Sequence, residues 1–483
     1  MSLLHTDGYK FSMAEAGWPL RQETFYYAHR KGGAAVLPFD AEAEVQKLMP
    51  EPTEADYAYL ASHEYEMGAG FKAAVLRRDR VVIRALPKGA WFLPREPAFS
   101  LSGPSALISW LEPQVLHLHY RIQIATLALT DPAALATEVA TVTCDEQKNI
   151  VLATLDAVGV RAPVHITVDS DAYYERVKAR AAQLASIVGD PARIFEVGLR
   201  AATCIPQHVI ALEACKAAGV RRTSHVAVAR ALDMIPVGTM GHEHVQRYGS
   251  DEAAFRAMRD RRPGRSSYLL DTFDTIRSGI PAAYSLMEEG YQSGDSIRYD
   301  SGDKEMQYRY AAKEARKRGI RSVQILEDGF DAALTEKFEA LRREVGWGPD
   351  EQFYGYGGYL IARTSGTSLV RDKVAAVYKL SQTATSPTMK FGDDANAGKE
   401  SVPGNPVVFR RRSGDGRDGP RGVIGQVGER PPSGYVQLTG ESVDLDGQGA
   451  RGACDIAFSP ETVALASKLH KQREALVERQ AFA

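Results

Sequence analysis

The sequence predicts an α/β protein built around a parallel, barrel-like sheet. Short apolar strands alternate with helical segments from Arg193 onwards, and strand ends recur about every 30 residues, the length of one β/α unit. The strands also end in polar or glycine-containing turns, as they do at the active-site end of a β/α barrel. A doubly wound open sheet would produce the same periodicity, so the pattern alone leaves both architectures open.

Residues 1–135 are predicted to form a separate α+β domain, because strands and helices do not alternate regularly there. Residues 23–28 and 80–86 are the strand candidates. Helices are predicted at residues 106–111, from 113 through 118 into the following segment, and at 132–158. The boundary with the barrel domain, residues 136–380, is expected between Asp131 and Asp190.

The barrel domain contains the regular alternation. Strands are predicted at residues 194–198, 235–238, 267–271, 296–300, 322–327 and 353–358, and residues 223–228 begin a further unit. Helices are predicted at residues 207–218, 281–289, 304–318 and 331–345.

Residues 381–483 are predicted to form a C-terminal segment. The stretch 382–453 is rich in Gly, Pro, Ser and charged residues, which indicates loops and short strands. Its triple arginine at 410–412 is more typical of a solvated surface than of a polyanion site. Residues 459–479 are predicted to form an amphipathic helix with Val463, Leu465, Leu469 and Leu476 on one stripe.

The composition is that of an ordinary soluble globular protein, with 483 residues, 44% hydrophobic and 25% charged. A net charge of -2 gives no electrostatic basis for binding nucleic acid or an anionic membrane. No apolar run is long enough to span a bilayer, and the first residues lack the pattern of a signal peptide. The four scattered cysteines predict incidental thiols in a reducing compartment, so we expect a cytoplasmic protein.

Polar strand ends recur along the barrel domain and should meet at one rim. They offer cations, carboxylates, hydroxyls and glycines, which suit a phosphorylated sugar and its magnesium. The alternative for the turn at 296–303 is a solvated turn with Ser301 as helix N-cap and Asp303 in the first helical turn. The strand ends are Arg200, residues 223–225, 238–242, 271–274, 298–303, 327–329 and 355–358.

His242 is the candidate for direct chemistry. A histidine just past a glycine-containing strand end can be exposed and nucleophilic near neutral pH. Asp271, from the next strand, could hold one ring nitrogen and leave the other free. The alternative is a purely structural histidine.

Short motifs spread over most of the chain resemble the family of nicotinate and nicotinamide phosphoribosyltransferases. Each motif is short, but their order and spacing together are specific. They are residues 6–10, 198–200, 223–224, 238–242, 270–274, 298–303, 328–329, 356–358 and 377–380, followed by Lys399 and residues 403–404.

The resemblance implies an irregular parallel β/α barrel of the type II phosphoribosyltransferase kind, packed on an α+β domain built from both chain ends. It implies a homodimer with active sites at the interface. The implied reaction belongs to NAD salvage: it joins nicotinate to 5-phosphoribosyl 1-pyrophosphate with Mg²⁺ and gives nicotinate mononucleotide and pyrophosphate. ATP hydrolysis would be coupled to the transfer through a transient phosphohistidine.

By motif, the resemblance assigns catalytic roles to three residues. His242 would carry the phosphoryl group, and Asp271 would orient it. Asp300 would help to hold the sugar phosphate and the pyridine ring, together with Arg200 and Arg298.

The resemblance also assigns substrate contacts. Gly329, Gly357 and Gly358 would line the site of the 5-phosphate. Tyr9, with Asp7 beside it, would stack on the pyridine ring from the partner subunit.

Several positions depart from the family pattern. Many relatives carry an aromatic residue at Val197, Asn at His225 and a second arginine at Ala201, so these positions bear on how the ring is held. Relatives that use the amide tend to have aspartate at Ser224, where its charge would repel a carboxylate. The neutral Ser224 therefore favours nicotinate.

Two alternative functions are retained. One is a nicotinamide phosphoribosyltransferase. The other is a non-catalytic sensor of nucleotides or phosphosugars on the same barrel, which would bind ligand without releasing pyrophosphate.

Overall fold

The computed structural model describes residues 1–17, 19–290, 294–362, 369–391, 400–411, 420–438 and 456–481. It has a mixed α/β fold with two large sheets. One sheet has seven parallel strands from the middle of the chain, and the other has five antiparallel strands from both ends of the chain.

The described strands, numbered in chain order, are β1 (Gln22–His29), β2 (Ala35–Val36), β3 (Val82–Ala85), β4 (Trp91–Phe92), β5 (Phe99–Pro104), β6 (Thr141–Val142), β7 (Thr167–Val168), β8 (Ile194–Glu196), β9 (Arg222–Thr223), β10 (Ile235–Pro236), β11 (Ser267–Leu269), β12 (Ser296–Tyr299), β13 (Val323–Leu326), β14 (Gln352–Tyr356), β15 (Ala376–Thr383), β16 (Ser386–Pro387), β17 (Pro406–Arg411), β18 (Gly422–Gln426), β19 (Tyr435–Gln437) and β20 (Ile456–Phe458).

The described α-helices are α1 (Tyr9–Glu15), α2 (Ala41–Leu48), α3 (Glu54–Ser62), α4 (Ala69–Val75), α5 (Ser105–Trp110), α6 (Glu112–Thr130), α7 (Pro132–Val139), α8 (Asp145–Ala157), α9 (Ser170–Val188), α10 (Ile205–Ala217), α11 (Val226–Ala231), α12 (His242–Tyr248), α13 (Asp251–Arg261), α14 (Ile280–Gly290), α15 (Lys304–Arg318), α16 (Ala332–Val345), α17 (Gly358–Ile361), α18 (Arg371–Val374) and α19 (Pro460–Ala481). A π-helix at Thr275–Gly279 precedes α14.

The seven-stranded sheet has the strand order of a barrel, β10-β9-β8-β14-β13-β12-β11. Strands that follow each other in the chain lie side by side, and β14 returns to pair in parallel with β8. The described ring is open between β10 and β11. A doubly wound sheet would reverse its strand order at an interior strand instead. The predicted irregular barrel is therefore confirmed.

Most residues of the barrel strands are buried, as expected where helices cover a parallel sheet, but Ile235 of the edge strand β10 is exposed. All four residues of β12 are buried. The interior also holds buried tyrosines whose hydroxyl groups find partners: Tyr299 donates to Gln324 Oε1 over 2.7 Å, and Tyr284 donates to the Ala311 carbonyl over 3.2 Å. The alternating apolar and polar atoms fix how the helices pack on the strands.

The N-terminal segment lies against the open side of the ring. The Gly8 amide donates to the Ser224 carbonyl over 2.7 Å. The backbones are so close that a Cβ atom on Gly8 would lie 2.3 Å from the Val237 oxygen, and one on Gly238 would lie 2.3 Å from the Gly8 carbonyl carbon. Only glycine fits at these two contacts.

The five-stranded sheet joins the two ends of the chain. Its order is β16-β15-β1-β5-β3, so β1 lies between a strand from the N-terminal part and a strand from beyond residue 375. A further sheet, β19-β17-β18-β20, comes from the C-terminal segment. The division of the chain into domains at residues 135 and 380 stays a prediction.

The structure differs from the sequence predictions in three places. The predicted helix 132–158 is interrupted, because the β-branched Thr141 and Val142 pair with β7. The N-cap of α15 is Asp303, whose side chain accepts from the Met306 amide over 3.0 Å, and not Ser301. On α19, Leu469 and Leu476 pack on the barrel core as predicted, but Val463 is half exposed.

The structure also shows where three of the scattered cysteines and one residue of the triple arginine lie. Cys144 and Cys204, distant in sequence, are buried free thiols with 3.6 Å between their sulfur atoms, and Cys215 is also buried and free. Arg410 forms a buried ion pair with Glu96 at 2.6 Å, so it is not part of a polyanion site. Lys399, Arg412 and Cys454 lie outside the described residues.

A search of the described helices for one both long and apolar enough to cross a bilayer found none.

We expect Gly8→Ala to destabilise the fold, because the new methyl group would collide with the Val237 carbonyl. Overpacking of this kind costs about 1–3 kcal/mol in free energy of unfolding. Urea denaturation measures this loss in free energy of unfolding. Gly33→Ala is the matched control, since no atom lies within 4 Å of the added Cβ there. Equal stability of the two variants would contradict the close contact.

Candidate active site

The C-terminal ends of the barrel strands open into a cavity of about 510 Å³, here called the upper cavity. One wall consists of the turns that follow β8, β10, β12, β13 and β14. The opposite wall is formed by β15 and the residues before it, from the sheet that joins the chain ends. A single chain therefore supplies both walls.

A second cavity of about 470 Å³, here called the ring cavity, extends into the barrel beneath the upper cavity. Asp7, Ser224, Phe195 and Arg222 line only this deeper space. The two cavities adjoin, because five residues line both: Tyr9, Val197, Arg200, Arg298 and Glu327.

The predicted site residues come together at these cavities. Asp7 and Ser224 line the ring cavity, and the glycines line the upper cavity with His242 and Asp300. Asp271 is buried behind His242 and does not line either cavity. The predicted residues that line at least one cavity are Asp7, Tyr9, Arg200, Ser224, His242, Arg298, Asp300, Gly329, Gly357 and Gly358.

His242 begins α12 and has a different partner at each ring nitrogen. Nδ1 lies 3.1 Å from Thr272 Oγ1 and 3.6 Å from Asp271 Oδ1. Nε2 lies 2.8 Å from Lys390 Nζ and 3.2 Å from Asp300 Oδ2. The closest partner of Nδ1 is thus the hydroxyl of Thr272, with the predicted orienting residue Asp271 slightly further away.

The electrostatics favour a neutral His242. Burial lowers the pKa of His242 and the charge of Lys390 lowers it further, although Asp271 and Asp300 raise it. Because an ammonium can only donate, the short Lys390 contact favours the tautomer with an unprotonated Nε2 and the proton on Nδ1. An unprotonated ring nitrogen at the cavity wall is a nucleophile.

The two aspartates stay ionised. Burial opposes ionisation of Asp300, but the charges of Lys390 and Arg298 hold its pKa well below the usual value. Burial likewise raises the pKa of Asp271, but the charge of Lys390 and the Ser301 hydroxyl lower it, and His242 lowers it further only when its ring is protonated. Ser301, at the end of β12, donates its hydroxyl to Asp271 Oδ2.

Lys390 was not predicted from the sequence, yet it lies at the centre of this cluster. Its ammonium lies 3.2 Å from Asp271 Oδ2 and 3.8 Å from Asp300 Oδ2. Ligand atoms of His242, Asp271 and Asp300 lie within 4.8 Å of one another, which is compatible with a metal ion. In this structure the Lys390 ammonium lies beside the two aspartates and balances their negative charge in place of a metal ion.

A sequence signal for Lys390 exists but is weak. It follows Met389 and precedes Phe391, both buried, in a segment that is otherwise polar. A lysine between two apolar residues in a loop indicates that the lysine side chain is buried with them. The pattern does not indicate which residues the ammonium contacts.

At the ring cavity, Arg200 and Asp7 form an ion pair with 3.2 Å between Nε and Oδ2. Ser224 donates to Asp7 Oδ1 over 2.6 Å. The Arg200 guanidinium lies over the Tyr9 ring, 5.5 Å from its centre. Val197, the position expected to be aromatic, forms part of the wall between the cavities.

Tyr9 and Asp7 line the cavities beside the barrel of their own chain. Gly8, which lies between them, is held against Ser224 and Val237, the residues that follow β9 and β10. The implied contact of Tyr9 and Asp7 with a partner subunit stays a prediction. His225, another departure from the family pattern, lies outside both cavities. Its ring nitrogens face His5 at 3.1 Å and His208 at 2.9 Å.

Arg298 lies where the two cavities meet. Its guanidinium donates to the Met240 carbonyl over 3.0 Å and lies 3.7 Å from Asp300 Oδ1 and 3.6 Å from Glu327 Oε2. These partners hold a buried cation in one orientation at the border of the ring cavity.

Backbone amides and basic side chains provide anion-binding groups on opposite walls of the upper cavity. Asp328 and Gly329 both have positive φ, at 55° and 74°, a conformation that turns successive N–H groups to one side. The facing wall carries four basic residues that were not predicted as site residues: Arg30, Arg371, Lys379 and Lys390. Such a pair of walls can bind a molecule with phosphates at both ends.

Lys379 has an unusual acidity. Burial lowers its pKa to about 7; Glu112 opposes this shift, and Lys390, Arg30 and Arg200 add to it. The crowding of cations implies that an anionic ligand would raise this pKa and be bound more tightly by the protonated form.

The known proteins to which this chain is similar carry the name of the family that the short motifs resemble. The chain is 26% identical over 482 residues to human nicotinate phosphoribosyltransferase, covering 94% of this chain and 84% of that protein. It is 27% identical over 445 residues to the bovine protein of that name, covering 86% and 77%. No protein-family model matches the sequence.

Solved structures confirm the fold. Nicotinate phosphoribosyltransferase from Porphyromonas gingivalis superposes with a TM-score of 0.59 at 17% identity, over 83% of this chain and 95% of that chain. The protein of the same name from Vibrio cholerae gives a TM-score of 0.57 at 19% identity, over 83% and 90%. The predicted resemblance is therefore confirmed by relatives and by fold.

We expect Lys390→Met to raise the pKa of His242, because it removes the adjacent positive charge that lowers it. A neighbouring charge typically changes a pKa by about one unit or more. NMR titration of ¹³C-histidine-labelled protein measures the midpoint, and the spectrum of His242→Gln assigns the signal. Lys373→Met, at an exposed position, is the control. An unmoved midpoint would contradict the contact.

Proposed function

We propose, from its kinship with proteins named nicotinate phosphoribosyltransferase, that this chain catalyses the same step of NAD salvage. Nicotinate and 5-phosphoribosyl 1-pyrophosphate are the proposed substrates, and nicotinate mononucleotide and pyrophosphate the products. The ring nitrogen of nicotinate would form a bond to the anomeric carbon while the bond from that carbon to pyrophosphate breaks.

The observation that carries this proposal is the pair of adjoining cavities. The narrow ring cavity borders Tyr9 and Arg200, which suit a flat anionic ring. The upper cavity has anion-binding groups on opposite walls, as a sugar with a phosphate at one end and a pyrophosphate at the other requires. Arg298 and Glu327 line both spaces, so the anomeric carbon would lie between them.

The transfer itself needs no protein nucleophile. Displacement of pyrophosphate develops positive charge on the ribose, and the ionised Asp300 on the cavity wall would stabilise it. The backbone at Gly329, Gly357 and Gly358 would hold the 5-phosphate. The leaving pyrophosphate would be received by the basic residues of the facing wall, which are Arg30, Arg371, Lys379 and Lys390.

Mg²⁺ is part of the proposal, and the donor chemistry fits it. Mg²⁺ prefers carboxylate and phosphate oxygens and retains water ligands. The Asp300 side chain is 23% exposed, whereas that of Asp271 is buried and paired with Lys390. Asp300 would hold the ion together with substrate phosphates, and the bound ion would neutralise charge on the pyrophosphate.

We further propose that ATP is a co-substrate and phosphorylates His242. The Nε2 lone pair would form a bond to the γ-phosphorus as its bond to the bridging oxygen breaks and ADP leaves. Thr272 and Asp271 would keep the remaining proton on Nδ1. The Lys390 ammonium, which lies 2.8 Å from Nε2 and donates to its lone pair, would move off that lone pair as phosphorus approaches and would then neutralise the transferred phosphoryl group.

Two arginines near the ring cavity, Arg200 and Arg298, favour the carboxylate of nicotinate. Nicotinamide is the second candidate, because the Asp7 carboxylate beside Ser224 could accept a hydrogen bond from an amide group. Burial raises the pKa of Asp7, while Arg200 lowers it. A protonated Asp7 would remove the repulsion toward nicotinate.

A homodimer in the cytoplasm also remains a proposal. One chain contributes Asp7, Tyr9, Arg30 and Arg371 to the cavities as well as the barrel. We propose that each chain of the dimer keeps these contacts to its own site.

The central test is a pyrophosphate-release assay with nicotinate or nicotinamide, each with and without ATP. We expect nicotinate to give the higher kcat/KM and ATP to stimulate release. Preferred use of nicotinamide would select the second candidate. Binding of nicotinate or nicotinamide without release of pyrophosphate would show that the protein is a non-catalytic sensor and not an enzyme.

We expect His242→Ala to lose the ATP stimulation and keep slow ATP-independent transfer, because His242 is not needed for the displacement. His244→Gln is the matched control: His244 is equally buried, lies two residues away and lines neither cavity. Full ATP stimulation in His242→Ala would refute the phosphohistidine.

We expect specific activity to remain constant on dilution through any dimer–monomer transition, because each site comes from one chain. Light scattering after size-exclusion chromatography gives the mass at each concentration. A fall of activity in step with loss of dimer would show that a partner subunit is required.

A further inference from the structure

A chain of buried charged side chains connects the ring cavity with the helix that begins at His242. Glu112, at the start of α6, lies 2.8 Å through Oε2 from Lys10 Nζ. Lys10 lies 2.6 Å from Glu243 Oε1. All three residues are less than a tenth exposed. We call Glu112, Lys10 and Glu243 the buried charge chain.

At its first end, the buried charge chain holds residues of the ring cavity. Glu112 accepts the hydroxyl of Tyr9 at Oε2. The other oxygen, Oε1, lies 3.8 Å from Arg200 Nη1. Both residues that we propose to contact the pyridine ring therefore share one carboxylate, although Arg200 is also held by Asp7 at 3.2 Å.

At its second end, the buried charge chain reaches α12. Glu243 directly follows His242. Ser109 donates to both Glu243 oxygens, at 2.9 and 3.0 Å, and accepts from Lys10 over 3.2 Å. One turn further along α12, Arg247 lies 3.5 Å from Glu243 and is fixed to Glu23 at 2.6 Å. A movement of Lys10 would therefore move Glu243 and, with it, the start of α12.

Glu112 is ionised in this setting. Burial disfavours its charge, but Lys10, Arg200 and Lys379 lower the pKa of Glu112 far below the usual value. A buried carboxylate shared by several cations cannot move alone, because displacing it from one cation would leave that charge uncompensated. A shift of Tyr9 or Arg200 must therefore be passed on to Lys10.

We propose that Glu112 is a positioning residue that links occupation of the ring cavity to the state of His242 through Lys10 and Glu243. The inference rests on the proposed function, since it takes the ring cavity as the pyridine site. A ligand that moves Tyr9 and Arg200 changes how Glu112 shares its charge with Lys10, and Glu243 transmits the change to α12. Coupling of this kind is reciprocal, so a change at His242 alters the affinity for the ring ligand by the same factor.

The alternative is that the buried charge chain only stabilises the fold. That role would lower the thermal stability of a variant without changing the response of His242 to a ligand in the other cavity. The response of the His242 signal to nicotinate therefore distinguishes the two roles.

The experiment uses the full chain labelled with ¹³C-histidine, with nicotinate as the probe. Calorimetry gives the Kd, and NMR gives the His242 signal with and without saturating nicotinate. For the unsubstituted protein we expect binding and a shifted His242 signal. For Glu112→Gln we expect a Kd raised about tenfold, within the usual range of coupling between sites, and loss of the shift at saturation.

Glu339→Gln is the matched control, because Glu339 is an equally buried carboxylate, lies 3.0 Å from Arg342 and lines neither cavity. It should lose stability and keep both the Kd and the shift. Ser109→Ala is a milder second variant that keeps the test decisive if Glu112→Gln does not fold. It should reduce the His242 shift in the same direction.

Each outcome decides a different point. Binding without a His242 shift in the unsubstituted protein, or a full shift at saturation in both Glu112→Gln and Ser109→Ala, would overturn the inference and leave the proposed function intact. If neither nicotinate nor nicotinamide binds, the proposed function fails and the inference fails with it.

Discussion

The site depends on the pairing of β14 with β8, which joins the strands β8 to β10 and β11 to β14 into one sheet. This pairing sets Tyr356 opposite Glu196, so the turn that carries Arg200 lies beside the turn that carries Gly357 and Gly358. The junction demands a small residue at Gly198, where a Cβ would lie 2.2 Å from Ile361 Cγ1 and 3.0 Å from the Gly357 oxygen.

Charge compensation is the second organising feature. His242, Asp271 and Asp300 surround the ammonium of Lys390, and Glu112 and Glu243 surround that of Lys10. Isolated charges would be costly at this depth, but each is balanced by partners from distant parts of the chain. The same buried ion pairs therefore stabilise the fold and hold the reactive groups in place.

Local sequence patterns were enough to predict part of the fold and part of the site. The helix α15 has the predicted bounds, because Asp303 caps its start and Gly319 its end, at φ 70°. The periodicity predicted the strands but not their order in the sheet, which depends on β14 pairing with β8. Lys390 was missed because its partners lie more than 80 residues away in sequence, and no local pattern encodes such a contact. The partner-subunit origin of Tyr9 came from the resemblance to a family and not from a local pattern, and it stays a prediction.

The union of the two chain ends in one sheet bears on biosynthesis. His29 pairs with Ala376, so β1 acquires its second neighbour only after about 350 further residues have been made. At ribosomal speeds of about 5–20 residues per second, this interval is about 20–70 seconds. During it, one edge of β1 has no strand to pair with, and an open edge is a template for aggregation. Production of this protein should therefore benefit from chaperones that shield the unpaired edge of β1 until β15 has been made.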